Sequence, residues 1–168
     1  KIMLTTNVNN IKNMYLTESF PNNPKYFTQE NVSQILVLPQ GKPPIGSILS
    51  VSIGAEIISQ RLVQTHIGVS NEGVISPGYK LIVEIKFKEK IRYSTKGCAE
   101  YVDVFNLESE TYSFSIALPC EICGVDTCEL ERRNKIQVIP YIEDVYTKLI
   151  SPCTMLQSIT FFLDTVIK

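Results

Sequence analysis

Three cysteines, Cys120, Cys123 and Cys128, stand in a C-x2-C-x4-C run, and two more, Cys98 and Cys153, lie elsewhere in the chain. A zinc site built on the run needs a fourth ligand from Cys98, Cys153 or His66. Structural zinc sites instead show two close pairs, or one pair with His residues at short spacing. The order of thiols does not match the common ferredoxin runs, and a redox C-x-x-C needs a strand-to-helix turn, whereas no helix is expected after Cys123. No metal and no other cofactor is therefore expected. The count of five is odd, so at least one thiol lacks a partner within the chain. Turn-forming residues surround all of them: Pro119 and Gly124 at the cluster, Gly97 before Cys98, Pro152 before Cys153. Thiols on loops meet other molecules. Disulfide cross-linking between copies is favoured, with Cys98, Cys120, Cys123, Cys128 and Cys153 as candidates, against the alternative of buried or incidental thiols.

Little else in the chain suggests a reaction. His66 is the single histidine, and no Gly-x-Ser-x-Gly elbow, Gly-rich phosphate loop or His-Glu-x-x-His pair accompanies it. Followed closely by Gly68, Asn71 and Gly73, it reads as a strand residue near a turn, and no catalytic residue is assigned. The 168 residues carry 16 basic and 17 acidic side chains, a net charge of −1, which favours neither a nucleic acid nor a membrane surface as partner. No apolar run approaches the roughly 20 residues of a membrane span, and no signal-peptide core is expected.

These thiols must be positioned by strands. From Tyr79 to Tyr93, Leu81, Val83, Ile85, Phe87, Ile91 and Tyr93 fall on one face, while Lys80, Glu84, Lys86, Lys88, Lys90 and Arg92 fall on the other. Glu89 alone interrupts the apolar face, and a strand this long spans about 45 Å at 3.3 Å per residue unless a bulge bends it near Glu89. Further strands are expected at 32–38, 48–58, 61–69, 101–107, 112–118, 135–139, 141–150 and 155–167, with no window of helical period in the core. The segment Pro39-Gln40-Gly41-Lys42-Pro43-Pro44 reads as a rigid connector at the domain edge. Residues 1–31, rich in Asn and Thr, read as an arm without core-forming composition. The predicted fold is all-β, an antiparallel β-sandwich of about eight or nine strands (residues 32–168) with an extended N-terminal arm (residues 1–31).

The run Lys42-Pro43-Pro44-Ile45, then Ile48-Leu49-Ser50-Val51, Ser70-Asn71-Glu72-Gly73, Gly78-Tyr79-Lys80-Leu81-Ile82-Val83-Glu84 and Pro140-Tyr141-Ile142-Glu143-Asp144-Val145-Tyr146, resembles the SPOCS domain of endospore-forming bacteria. The resemblance is ordered and covers about residues 32–168. It implies a component of a spore coat, exosporium or spore-morphogenesis assembly, with no catalytic residues to carry over. Two departures stand out: Pro44 and Gly46 occupy positions that are often acidic in the family, and Ala99–Phe105 lacks a His-containing pattern common among its members.

The expected function is a structural subunit of a spore surface layer or appendage, not an enzyme. It self-assembles into a homopolymer, with copies of itself and other spore envelope proteins as partners, and inter-subunit disulfides stabilise it. Expected localisation is the spore surface, after synthesis in the mother cell without a standard signal peptide. Within the arm, the β-prone stretch around Ile2, Leu4 and Val8 either adds a strand to a neighbouring copy, or the arm folds back on its own domain or stays disordered. The alternative function is a monomeric binding or adaptor module that recruits another coat protein or a glycan.

Overall fold

The computed structural model describes residues 14–15, 19–71 and 73–168. In chain order the elements are β1 (Met14–Tyr15), β2 (Phe27–Val37), β3 (Ile45–Gln64), β4 (Gly68–Val69), β5 (Ile75–Ser76), β6 (Gly78–Thr95), β7 (Val102–Glu108), β8 (Tyr112–Pro119), β9 (Glu121–Ile122), β10 (Val125–Asp126), α1 (Thr127–Arg132), β11 (Ile136–Ser151) and β12 (Thr154–Ile167). The chain is all-β, as its alternation predicted.

Two antiparallel sheets face each other. In the larger, β3 pairs with the whole of β6, whose other edge is shared by β7 along Lys88–Ser94 and β8 along Gly78–Ile85. In the smaller, β12 is central between β11 and β2. The expected inner row of β6, Leu81, Val83, Ile85, Phe87, Ile91 and Tyr93, is fully buried, and Met155, Ile159, Phe161 and Leu163 of β12 are buried opposite it. Phe161 bridges the sheets, edge-on to Phe87 and to Phe114, both with ring centroids at 5.2 Å.

Several expected boundaries are corrected. Strand β2 begins at Phe27, so residues 27–31 belong to the sandwich and not to the arm; Gln29 and Asn31 face outward, Thr28 and Glu30 share the face of the buried Val32 at partial burial, and the backbone pairs with Thr160–Asp164. The connector at 39–44 lies inside the domain, crossing from one sheet to the other. The stretches expected as separate strands at 48–58 and 61–69 form the single β3 as far as Gln64, because the irregularity at Ser59 is absorbed as a register shift against β6. Likewise β11 runs through Pro140. It is paired only with β12, and an edge strand tolerates a residue that cannot donate to the ladder. No bulge occurs at Glu89, which stays in register between Ile53 and Leu107. His66 lies exposed in the connector after β3 rather than in a strand. Among the described residues there is one short helix: Asp126 caps it by accepting from the Glu129 amide at 3.1 Å, and six residues are too few to register as helical period.

The described part of the arm folds back on its own domain. Met14 and Tyr15 pair in parallel with Val51 and Ser52 of β3, and the Phe20 ring lies 5.9 Å from Tyr141 on the outer face of the smaller sheet.

Phe161→Ala removes the ring that joins the two sheets and is expected to destabilise the fold by about 3–5 kcal/mol. Urea unfolding followed by circular dichroism measures this, and a loss near zero would mean that the sheets are held by other contacts.

Candidate functional site

The five cysteines divide between the two ends of the sandwich. At the Thr95 end of β6, Cys98 sits in the β6–β7 loop, which is closed by a 2.9 Å bond from the Thr95 amide to the Tyr101 carbonyl. Cys153 sits in the β11–β12 turn, where the Leu38 amide donates to the Cys153 carbonyl at 2.9 Å and the Ile45 amide to Pro152 at 2.7 Å. Since the Lys96 amide donates to Pro44 at 2.7 Å, both loops are fastened to the same connector. Both thiols are exposed.

At the Gly78 end stand Cys120, Cys123 and Cys128. Strand β8 ends where Gly78 pairs with Pro119, so Cys120 emerges beside the start of β6, its Sγ 3.6 Å from the Pro77 carbonyl oxygen. A Cβ on Gly78, whose φ is +124°, would overlap that sulfur, which explains the glycine after Pro77. The hairpin of β9 and β10 turns through Cys123 and Gly124, with φ of 52° and 77°. A two-residue hairpin turn with both φ positive ordinarily takes Asn-Gly; here an exposed thiol occupies the first position. The half-buried Cys128 lies in α1, which is held to the end of β8 by Thr127, whose amide donates to Cys120 at 2.9 Å and whose hydroxyl donates to Pro119 at 2.6 Å. Burial pushes the Tyr79 phenol above its ordinary value, and Asp126, Cys128 and Cys120 nearby push it the same way.

All five thiols are free, and among the described residues no three of His, Cys, Asp and Glu gather where a metal ion could be held. The structure therefore groups the candidates as Cys98 with Cys153, and Cys120 with Cys123 and Cys128, and brings His66 to neither group as a ligand. The C-x-x-C is followed by a helix after all, but α1 begins four residues beyond Cys123, so neither of the two thiols opens it. Ile2, Leu4 and Val8 lie outside the described residues.

Sequence reasoning noticed Glu89 only as an interruption. Its carboxylate is buried between the sheets, where Gln34 Nε2 of β2 donates to Oε1 at 2.6 Å and Gln157 Nε2 of β12 donates to Oε2 at 2.7 Å. Gln34 also donates to Gln157 Oε1 at 2.7 Å, Gln157 to Thr147 at 3.3 Å, and the Tyr112 hydroxyl to Gln34 Oε1 at 3.3 Å. Gln34 and Gln157 were legible as polar residues at inward positions of otherwise apolar strands. Burial raises the Glu89 carboxyl above its ordinary value, and the two amides lower it in part. On the other, wet face of this stretch of the larger sheet, an open cavity of about 520 Å³ is lined by Ser52, Lys88, Lys90, Asn106 and Glu108, together with Glu89 and Leu107.

The Lys42-Pro43 motif also acquires a physical role. Lys42 Nζ donates to Asp103 at 3.0 Å and to the Val104 carbonyl at 2.8 Å, anchoring the connector to β7. The bond from Lys42 holds the Asp103 carboxyl below its usual range. The Tyr93 hydroxyl donates to Pro43 at 3.1 Å, and burial, aided by Asp103, pushes it up to about 12.

Fold and thiols together define an all-β sandwich with free cysteines at both ends. No family model matches the chain, and no curated protein and no solved structure matches it.

Two predictions follow from this geometry. Gly78→Ala forces a methyl group against Cys120 at positive φ and is expected to destabilise by about 1–3 kcal/mol, read by thermal denaturation. The second concerns pH. A carboxyl whose folded pKa is raised contributes stability that is complete below its unfolded pKa and is lost as pH rises through the folded value. Asp164, also raised by burial, acts in the same sense. Tyr112 is the titratable group facing Glu89, and it remains neutral across this range. Wild-type stability should therefore fall as pH rises above the ordinary Glu range, and Glu89→Gln should flatten that fall. An unchanged slope in the variant would mean that Glu89 does not titrate in the fold.

Proposed function

We propose that the protein is a non-enzymatic structural subunit that assembles with copies of itself and is then locked by disulfides between them. The observation that carries this is the distribution of its cysteines. All five are free, none is fully buried, and they sit on loops, turns and one short helix at the ends of the sandwich. Buried structural thiols would instead occupy inward strand positions, which are filled here by aliphatic and aromatic side chains. An all-β body with a well-packed core provides rigidity, and thiols at its extremities provide covalent continuity once they meet an oxidant.

Resemblance of the ordered motifs from Lys42 to Tyr146 to the SPOCS domain supports a spore envelope setting, in a coat, exosporium or appendage. Such layers outlast the cell that made them and become exposed to oxidising surroundings, where disulfides persist. Other spore envelope proteins are the natural further partners.

The open polar cavity on the outer face of the larger sheet, lined by Ser52, Lys88, Lys90, Asn106 and Glu108, favours a second function, a binding or adaptor module that holds a glycan or a polar segment of another coat protein. The two are separated by one preparation. Purified full-length protein incubated with oxidised glutathione is expected to show ordered fibres or sheets in negative-stain electron microscopy. It should also run as a ladder on denaturing gels without reductant and as monomer with it. A uniform monomer under the microscope and in both gel lanes would overturn assembly in favour of the binding module.

A further inference from the structure

We infer that the cross-link is polar: the Cys98 and Cys153 end of one copy joins the Cys120, Cys123 and Cys128 end of the next. The inference rests on the proposed cross-linking between copies and specifies which surfaces meet. The two thiol groups are separated by the length of β6, roughly 56 Å for 18 residues at the usual strand rise of about 3.3 Å. A disulfide needs Cα atoms within about 7 Å, so no bond between the groups can close within one chain. Any such bond belongs to two copies.

The ends are also chemically prepared for contact and differ in shape. At the Gly78 end the ribbon of β4 and β5 exposes Ile67, Val69 and Ile75, and the β9–β10 hairpin carries Cys123 at its turn. At the Thr95 end, Val37, Tyr101 and Ile150 are exposed around the loops that carry Cys98 and Cys153. Exposed apolar side chains next to free thiols allow association first and covalent capture second. One end projects two hairpins and the other presents a loop and a turn, so the surfaces are not copies of each other. A contact between unlike surfaces is heterologous and propagates into a ring or an open fibre, whereas a contact between like surfaces stops at a twofold dimer.

The chemistry needs an oxidant, here a small-molecule disulfide. A thiolate from one copy attacks it, forming a mixed disulfide and releasing one small thiolate. A thiolate from the next copy then displaces the second, so that one inter-subunit S–S bond forms and the oxidant leaves as two thiols.

Two complementary variants test the polarity. Cys98→Ser with Cys153→Ser keeps thiols at the Gly78 end alone, and Cys120→Ser with Cys123→Ser and Cys128→Ser keeps them at the Thr95 end alone. With oxidised glutathione, each variant by itself should remain monomeric on a denaturing gel without reductant, and their mixture should give a covalent dimer and nothing longer. A dimer from either variant alone would overturn the polarity. Peptide mapping of the oxidised wild-type protein needs no substitution and should find Cys98 or Cys153 joined to Cys120, Cys123 or Cys128. Bonds between like ends would overturn the polarity while leaving cross-linking between copies standing. Internal bonds alone, such as Cys120 to Cys128, would overturn both.

Discussion

The burial of one face of β6 against one face of β12 is the constraint on which the rest of the structure depends. Six inward apolar side chains of β6 and four of β12 are removed from water, and strand pairing spreads that contact sideways, through β3, β7 and β8 on one side and through β11 and β2 on the other. Period-2 alternation leaves the opposite faces to solvent, so the charged row from Lys80 to Arg92 is the necessary complement of the buried row. Long strands follow, because the apolar alternation of β6 continues almost without interruption, and long strands separate the ends of the molecule.

That separation gives the cysteines their meaning. Their positions lie at the ends of the long paired strands, where Cys98, Cys123 and Cys153 are exposed and Cys120 and Cys128 are half-buried. The backbone at these loops is nonetheless held: hydrogen bonds from Leu38, Ile45 and Lys96 fix the Thr95 end, and Thr127 fixes the Gly78 end. Thiols on a held backbone keep their spacing along the molecule, as the proposed cross-linked assembly requires.

Glu89 marks where the core departs from a purely apolar solution. An unpaired carboxylate between sheets is costly unless its oxygens are met by donors. Gln34 and Gln157 meet them from two strands of the opposite sheet, so the cost is offset only when both sheets are in register. The network thus ties the alignment of the sheets to the protonation of one side chain.

Alternation of side-chain character was enough to determine the fold class, the buried face of β6 and the loop character of the cysteine neighbours, because strand period and turn chemistry are local properties. Local information failed where pairing overrode it. Pro140 and Ser59 look like strand ends, yet an edge position and a register shift let β11 and β3 continue. The polar residues 28–31 look like arm, yet β12 supplies a pairing edge for them. Helix α1 is too short for its period to be legible; only the Asp126-to-Glu129 spacing of its cap marks it in the sequence, and the docking of Thr127 on Pro119 is decided by the tertiary structure. Glu89 could be seen as an anomaly, but the amides that satisfy it come from residues 55 and 68 positions away in the chain. The division of five thiols into two groups at opposite ends depends on which strands lie side by side and how far they run, and only the tertiary structure decides that.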